Sequence, residues 1–280
     1  MTRATNVSTM TKSEIEHKFV TSANKHFRDI SLCNAMMRDT IKGMAKSLFP
    51  LMEEYTGDPK DFKFNPDVKT KVSNDSVPKM MAIAATFFNK TKRTASAANS
   101  SIGLKPGIWD MEEFINRSIY DKNLSLRFTE QAKRAASEIE VYAALGIKNG
   151  NTPNEAMFIY LDDMDAPHRN RDIQELAFLG FIALKGTDML KPRLGGISSA
   201  YKSISRIMED YMMRGYSEAN MLAWKGLYKY IITSADHNVC SVCQDNATRI
   251  FKAEEFIVPA HNRCRCIEIP ILDYTDNIML

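Results

Sequence analysis

Residues 236–270 read DHNVCSVCQDNATRIFKAEEFIVPAHNRCRCIEIP, and this stretch holds four of the five cysteines and two of the five histidines of a 280-residue chain. Cys240 and Cys243 form a C-x-x-C knuckle, and after seventeen further residues His261, Cys264 and Cys266 form H-x-x-C-x-C. A tetrahedral zinc site takes two separated ligand pairs, because a short loop turns two thiolates toward one ion and a hairpin returns the other two. The expected metal ligands are therefore four of Cys240, Cys243, His261, Cys264 and Cys266. Strand geometry pairs Cys264 with Cys266, whereas H-x-x-C spacing pairs His261 with Cys264, so the fourth ligand stays open. Reduced structural thiols or a disulfide pair are the competing reading of the same residues.

The strand period sets the fold around this cluster. In Ile267-Glu268-Ile269-Pro270-Ile271 the isoleucines share one face with Arg265, and Cys264 and Cys266 share the other. Pro270 confines this strand to an edge or ends it, and Arg249–Phe251 and Phe256–Val258 are its expected companions. Residues 232–272 thus read as a small α+β knob, with 273–280 as a tail.

Upstream the periodicity is helical. Ile15, Phe19, Ala23, Phe27, Ile30, Met37, Ile41, Met44 and Leu48 fall three, four or seven apart, which predicts one long amphipathic helix or a helix pair within 1–56. A stripe of that length is expected to lie against another chain or the protein body. Residues 57–107, with Pro59, Pro66, Pro78 and the segment TASAANSSIGLKPG, read as a loop-rich linker around a short helix. Residues 108–231 read as a helical body. Its expected helices are Leu124–Leu145 ended by Gly146, one opened by Thr152-Pro153-Asn154-Glu155, a core helix at Arg171–Lys185, then Ser199–Arg214 and Ser217–Tyr230. The fold class is mainly α, with a C-terminal α+β cysteine-rich knob read as zinc-stabilised.

Composition narrows the function classes. With 44% hydrophobic residues the chain can bury a core without a staple. Its longest apolar run, Leu176–Leu184, is about half of the roughly 20 residues that span a bilayer, and the N-terminus lacks an apolar signal core. The chain is expected to be made in a cytoplasm, where clustered cysteines favour metal over disulfides. The net charge of +3 is uneven: residues 1–100 carry 16 Lys/Arg against 10 Asp/Glu, leaving 21 against 24 for the rest. Lys60, Lys63, Lys69 and Lys71 are the candidate DNA-facing residues of this basic third, against the plainer reading of a solvated surface.

Catalytic constellations are not evident. Asp236-His237 and His261-Asn262 resemble fragments of a His-Asn-His nuclease, but His261 runs directly into a cysteine-rich strand instead of the helix that such a site needs. Leu161-Asp162-Asp163-Met164-Asp165 reads as a helix terminus, and seventeen methionines read as adaptable core. Arg263 and Arg265 could touch phosphates, but support of thiolate charge is the favoured role.

Asp236, the CSVC spacing, Phe251, Pro259-Ala260-His261, Cys264-Arg265-Cys266 and Pro270 together resemble the C-terminal signature of the Mu F-like phage minor head proteins. Ala247 lies near where that family often has glycine. The resemblance covers about 40 residues and implies a non-enzymatic virion component at the portal vertex, acting in head assembly or genome delivery. It implies the portal or other head proteins as partners, with packaged double-stranded DNA touched without sequence preference, no membrane and no small-molecule substrate. Asp236 and Arg265 would be supporting residues of the cysteine cluster. A DNA-binding zinc protein, such as a regulator or packaging accessory, is the alternative, and a toxin-like enzyme using the same module is the third. Near balance of charge in 236–270 weighs against the former, and the lack of a catalytic constellation against the latter.

Overall fold

A computed structural model describes residues 10–119, 121–185, 187, 189, 199–233, 239–261 and 264–272. The chain is mainly α-helical, with one small three-stranded sheet. Contacts divide it into two compact units, Met1–Cys33 with Ala85–Phe114 and Met208–Leu280, and Asn34–Ala84 with Ile115–Ile207. No helix among the described residues is long and apolar enough to cross a membrane.

Helix α1 spans Lys12–Leu48 and a 3-10 turn follows at Phe49–Met52, where Pro50 removes an N–H. The expected stripe is the buried face: Ile15, Phe19, Ala23, Ile30, Met37, Ile41, Met44 and Leu48 are all shielded from solvent.

Helix α2 spans Pro66–Ser101 and replaces the linker expected at 57–107. Asn65 caps it by accepting from the Asp67 N–H at 2.8 Å, and Pro66 suits the first helical position. Pro78 stays inside because it sits on the exposed side, where water can satisfy the carbonyl one turn back. Of the polar residues in the second expected loop, 94–107, Thr94 and Asn99 are buried inside the helix. Asn99 accepts from Trp224 Nε1 while donating to Asn220.

Helix α3 (Met111–Asn116) is short, and α4 spans Leu124–Asn149. Gly146 does not end α4. It lies where α5 (Pro153–Asp163) comes so close that a Cβ would stand 2.7 Å from that of Ala156, and the helix closes at Gly150 instead. The capping box at Thr152 forms as expected, with the Thr152 N–H donating to Glu155 at 2.8 Å. The core helix expected at Arg171–Lys185 is only α6 (Arg171–Phe178), followed by a 3-10 turn at Ile182–Leu184, and Phe178 is almost fully exposed. Its apolar run is split by Gly180, whose positive φ of 77° breaks the helix. Within this unit α4 is central, packing on α5, α6 and the Phe49–Met52 turn.

The two helices expected at Ser199–Arg214 and Ser217–Tyr230 are one helix, α7, at Ala200–Ala223. Gly215 lies inside it because a Cβ there would meet the Trp109 ring at 3.0 Å. The end of the second expected helix is a strand, β1 (Tyr228–Ile232). After it come α8 (Ser241–Asn246), β2 (Ile250–Lys252) and β3 (Ile267–Ile271). The sheet order is β2-β1-β3, antiparallel throughout, with Tyr230 opposite both Ile250 and Ile269. Pro270 thus sits on an edge strand, as its missing N–H requires. Phe256–Val258 is not a strand; β1 takes that place, and the segment loops toward the cis Val258–Pro259 bond. Ile267 and Ile269 complete a core with Ile15, Phe19, Ala98, Trp224 and Tyr230.

Candidate metal centre

Cys240 is the N-cap of α8, and its Sγ accepts the Cys243 N–H at 3.4 Å. The geometry of this short cap turns the Cys243 side chain inward, where it is fully buried. On the other side, the Cys264 N–H donates to the His261 carbonyl at 3.1 Å, a turn that leads through Cys264 and Cys266 into β3. The knuckle and the approach to the edge strand therefore meet. Cys243 Sγ lies 3.0 Å from His261 Nε2 and 3.9 Å from Cys264 Sγ.

The five residues form two overlapping ligand groups. In one, the donor atoms of Cys240, Cys243 and His261 lie within 4.8 Å of one another; in the other, those of Cys243, Cys264 and Cys266 do. Cys243 belongs to both. Zinc–sulfur bonds of about 2.3 Å in a tetrahedron put two sulfurs about 3.8 Å apart, close to the Cys243–Cys264 separation. All five cysteines of the chain are free thiols. Cys33, the fifth, is buried in α1 and takes no part in either group.

Protons are unevenly held in the cluster. A hydrogen bond from the Cys266 thiol, with further backbone donors, draws Cys264 down to about 5. Cys266 is pushed up mainly because it keeps that shared proton, and burial raises Cys243 to about 12. The backbone N–H of Cys243 lowers Cys240. A soft cation would replace these shared protons, since thiolates are the ligating form. Three or four sulfurs with one imidazole suit zinc chemistry and leave carboxylate-preferring ions poorly served.

Arg265 is exposed and lays its guanidinium over the Phe27 ring, 5.6 Å from its centre. Asp236, together with His237 and Arg263, lies outside the described residues. Lys60, Lys63 and Lys71 are exposed in the other unit, whereas the Lys69 ammonium is held by Glu140 at 3.0 Å.

Sequence patterns did not bring out the polar pair behind the cluster. Lys229 of β1 and Glu268 of β3 are buried and paired at 2.6 Å, and Ser217 of α7 also donates to Glu268 at 2.6 Å. The one signal was a single charge in the middle of each apolar strand, YKYII and IEIPI. Burial raises the Glu268 carboxyl, and Lys229 opposes that rise.

No protein-family model, curated protein or solved structure matches this chain.

Proposed function

We propose that the cluster holds one structural zinc ion, bound by Cys240, Cys243 and two of His261, Cys264 and Cys266, and that the chain is a structural minor component of a phage head. The observation that carries the metal reading is the convergence of five soft ligands from two distant chain segments, with Cys243, Cys264 and Cys266 buried. Bound zinc would supply a cross-link between α8 and the entry to β3. The residues around it supply the rest: Cys240 fixes the knuckle as a helix cap, and the apolar core behind β3 holds the other ligands in register.

The head assignment draws its support from the signature shared by residues 236–270. A portal-vertex location, contact with the portal or other head proteins, and a part in head assembly or genome delivery come with it. Exposed Lys60, Lys63 and Lys71 fit salt-sensitive contact with packaged double-stranded DNA. The role is non-catalytic.

Two measurements test the proposal. Protein purified without added metal should carry about one zinc per chain, Cys243→Ser should carry none, and Cys33→Ser should keep it. Zinc-free protein with every thiol freely reactive would falsify the site. The polypeptide should also be found in purified particles at a fixed copy number relative to the portal, and its absence from particles would exclude the head role.

A further inference from the structure

The second unit carries a cleft that lies outside the metal centre. It encloses about 380 Å³ and is lined by Lys63, Phe64, Lys69, Thr70, Lys133 and Glu140, among others. That volume falls in the range of small-molecule sites, roughly 300–1,000 Å³.

Its charge is not balanced. Glu140 of α4 is buried and accepts both the Phe64 N–H and the Lys69 ammonium at 3.0 Å, so the one carboxylate on these walls is already engaged. Lys63, from the segment before α2, and Lys133, from α4, are both exposed, and neither has an ion-pair partner among the described residues. Two lysines on the walls of one cleft raise its positive potential, which favours a dianion there. Thr70 adds an exposed hydroxyl. The first turn of α2 does not supply the donors, because Asn65 already accepts its Asp67 N–H. Side chains define the site.

We infer that this cleft binds a phosphate group, with Lys63 and Lys133 as the charged clamp, Thr70 as hydroxyl donor, and the Glu140–Lys69 pair as the strut that holds the Phe64 segment to α4. The phosphate can come from a small phosphorylated molecule or from a nucleic-acid backbone, and the chemistry of recognition is the same. This goes beyond the zinc assignment and does not depend on it, and only its nucleic-acid arm overlaps the head reading, which also uses Lys63. The Lys133 wall comes from α4, outside the basic first third.

The test is calorimetric titration of the full chain with pyrophosphate and, separately, with a short duplex DNA. Two double variants are compared, Lys63→Ala with Lys133→Ala in the cleft, and Lys42→Ala with Lys46→Ala on α1 outside it. All four lysines are charged surface groups, so both variants should keep the wild-type melting temperature. The cleft variant should weaken pyrophosphate binding about tenfold or more, and the outer variant by less than about twofold. Binding of duplex DNA alone, weakened more by the cleft variant, also supports the site and identifies its source as nucleic acid. Failure of both probes to bind, or equal loss in the two variants, overturns the inference, the latter by showing diffuse charge. Zinc content is read on the same samples, so a failed cleft leaves the metal proposal standing.

Discussion

His26 shows what a single buried residue commits the protein to. Its ring is fully buried, stacked on Tyr216 with centroids 4.6 Å apart, and Nε2 lies 3.1 Å from the Met212 carbonyl. Nε2 therefore donates, and Nδ1 has no partner among the described residues. Burial lowers the imidazole from 6.5 to about 4. Between these values the unfolded chain binds a proton that the folded chain refuses. The contribution of His26 is thus complete above pH 6.5 and is lost as pH falls toward 4. At roughly 1.4 kcal/mol per pH unit, the total is about 3 kcal/mol. Urea unfolding of wild type and His26→Gln at pH 7 and pH 4.5 checks this. The variant should be less stable at pH 7 but should lose less on acidification, and equal losses in both proteins would rule the argument out. The five clustered ligands were legible in the sequence, because a metal's demand is written as residue type and spacing. His26, Lys229 and Glu268 were not, because each lies in an otherwise ordinary helix or strand and finds its partner only through tertiary contact.

Helix boundaries show the same limit at the scale of the element. The stripe of α1, the capping box of α5 and the edge strand β3 were readable because each follows from local chemistry. Glycine, proline and small polar residues read as punctuation in the sequence, and it is there that the structure differs. Pro78, Gly146 and Gly215 all sit inside helices, Pro78 because it faces water, and the two glycines because another element comes too close for a side chain. Local propensity gave way to packing. The distinction is measurable within one unit. A Cβ on Gly43 of α1 would have nothing within 4 Å, whereas a Cβ on Gly146 would stand 2.7 Å from Ala156 Cβ and 2.9 Å from the Met52 methyl. Gly43→Ala should therefore stabilise the protein by about 0.5–1 kcal/mol through helix propensity. Gly146→Ala should destabilise it by about 1–3 kcal/mol, because α4 and α5 must part. Chemical denaturation midpoints of the two variants give the answer, and two changes of the same sign would show that propensity, not packing, governs Gly146.

For the whole molecule, the question is which parts the proposed metal would hold. The sheet has a metal-independent anchorage: Ile267 and Ile269 of β3 and Tyr230 of β1 are buried with Ile15, Phe19 and Trp224, and Lys229 of β1 is paired with Glu268 of β3. Helix α8 has none of this. It is six residues long, far below the roughly 12–15 at which an isolated helix becomes even marginal in water, and Cys243 is its one buried residue. In the proposed zinc site a metal bond to that thiol would be its principal tertiary tie. On that proposal, removing zinc should release α8 and residues 253–261 while β1, β3 and α4 of the other unit keep their hydrogen bonds, because their burial does not pass through a cysteine. Hydrogen exchange with and without a chelator makes the comparison. Residues 240–249 should lose nearly all protection on chelation, with peptides covering Tyr228–Ile232 and Leu124–Asn149 unchanged. Uniform loss would mean that the metal holds the entire fold. No loss at α8 would mean that the cysteine cluster is a packed set of thiols, and that the composition of residues 236–270 serves burial, not coordination.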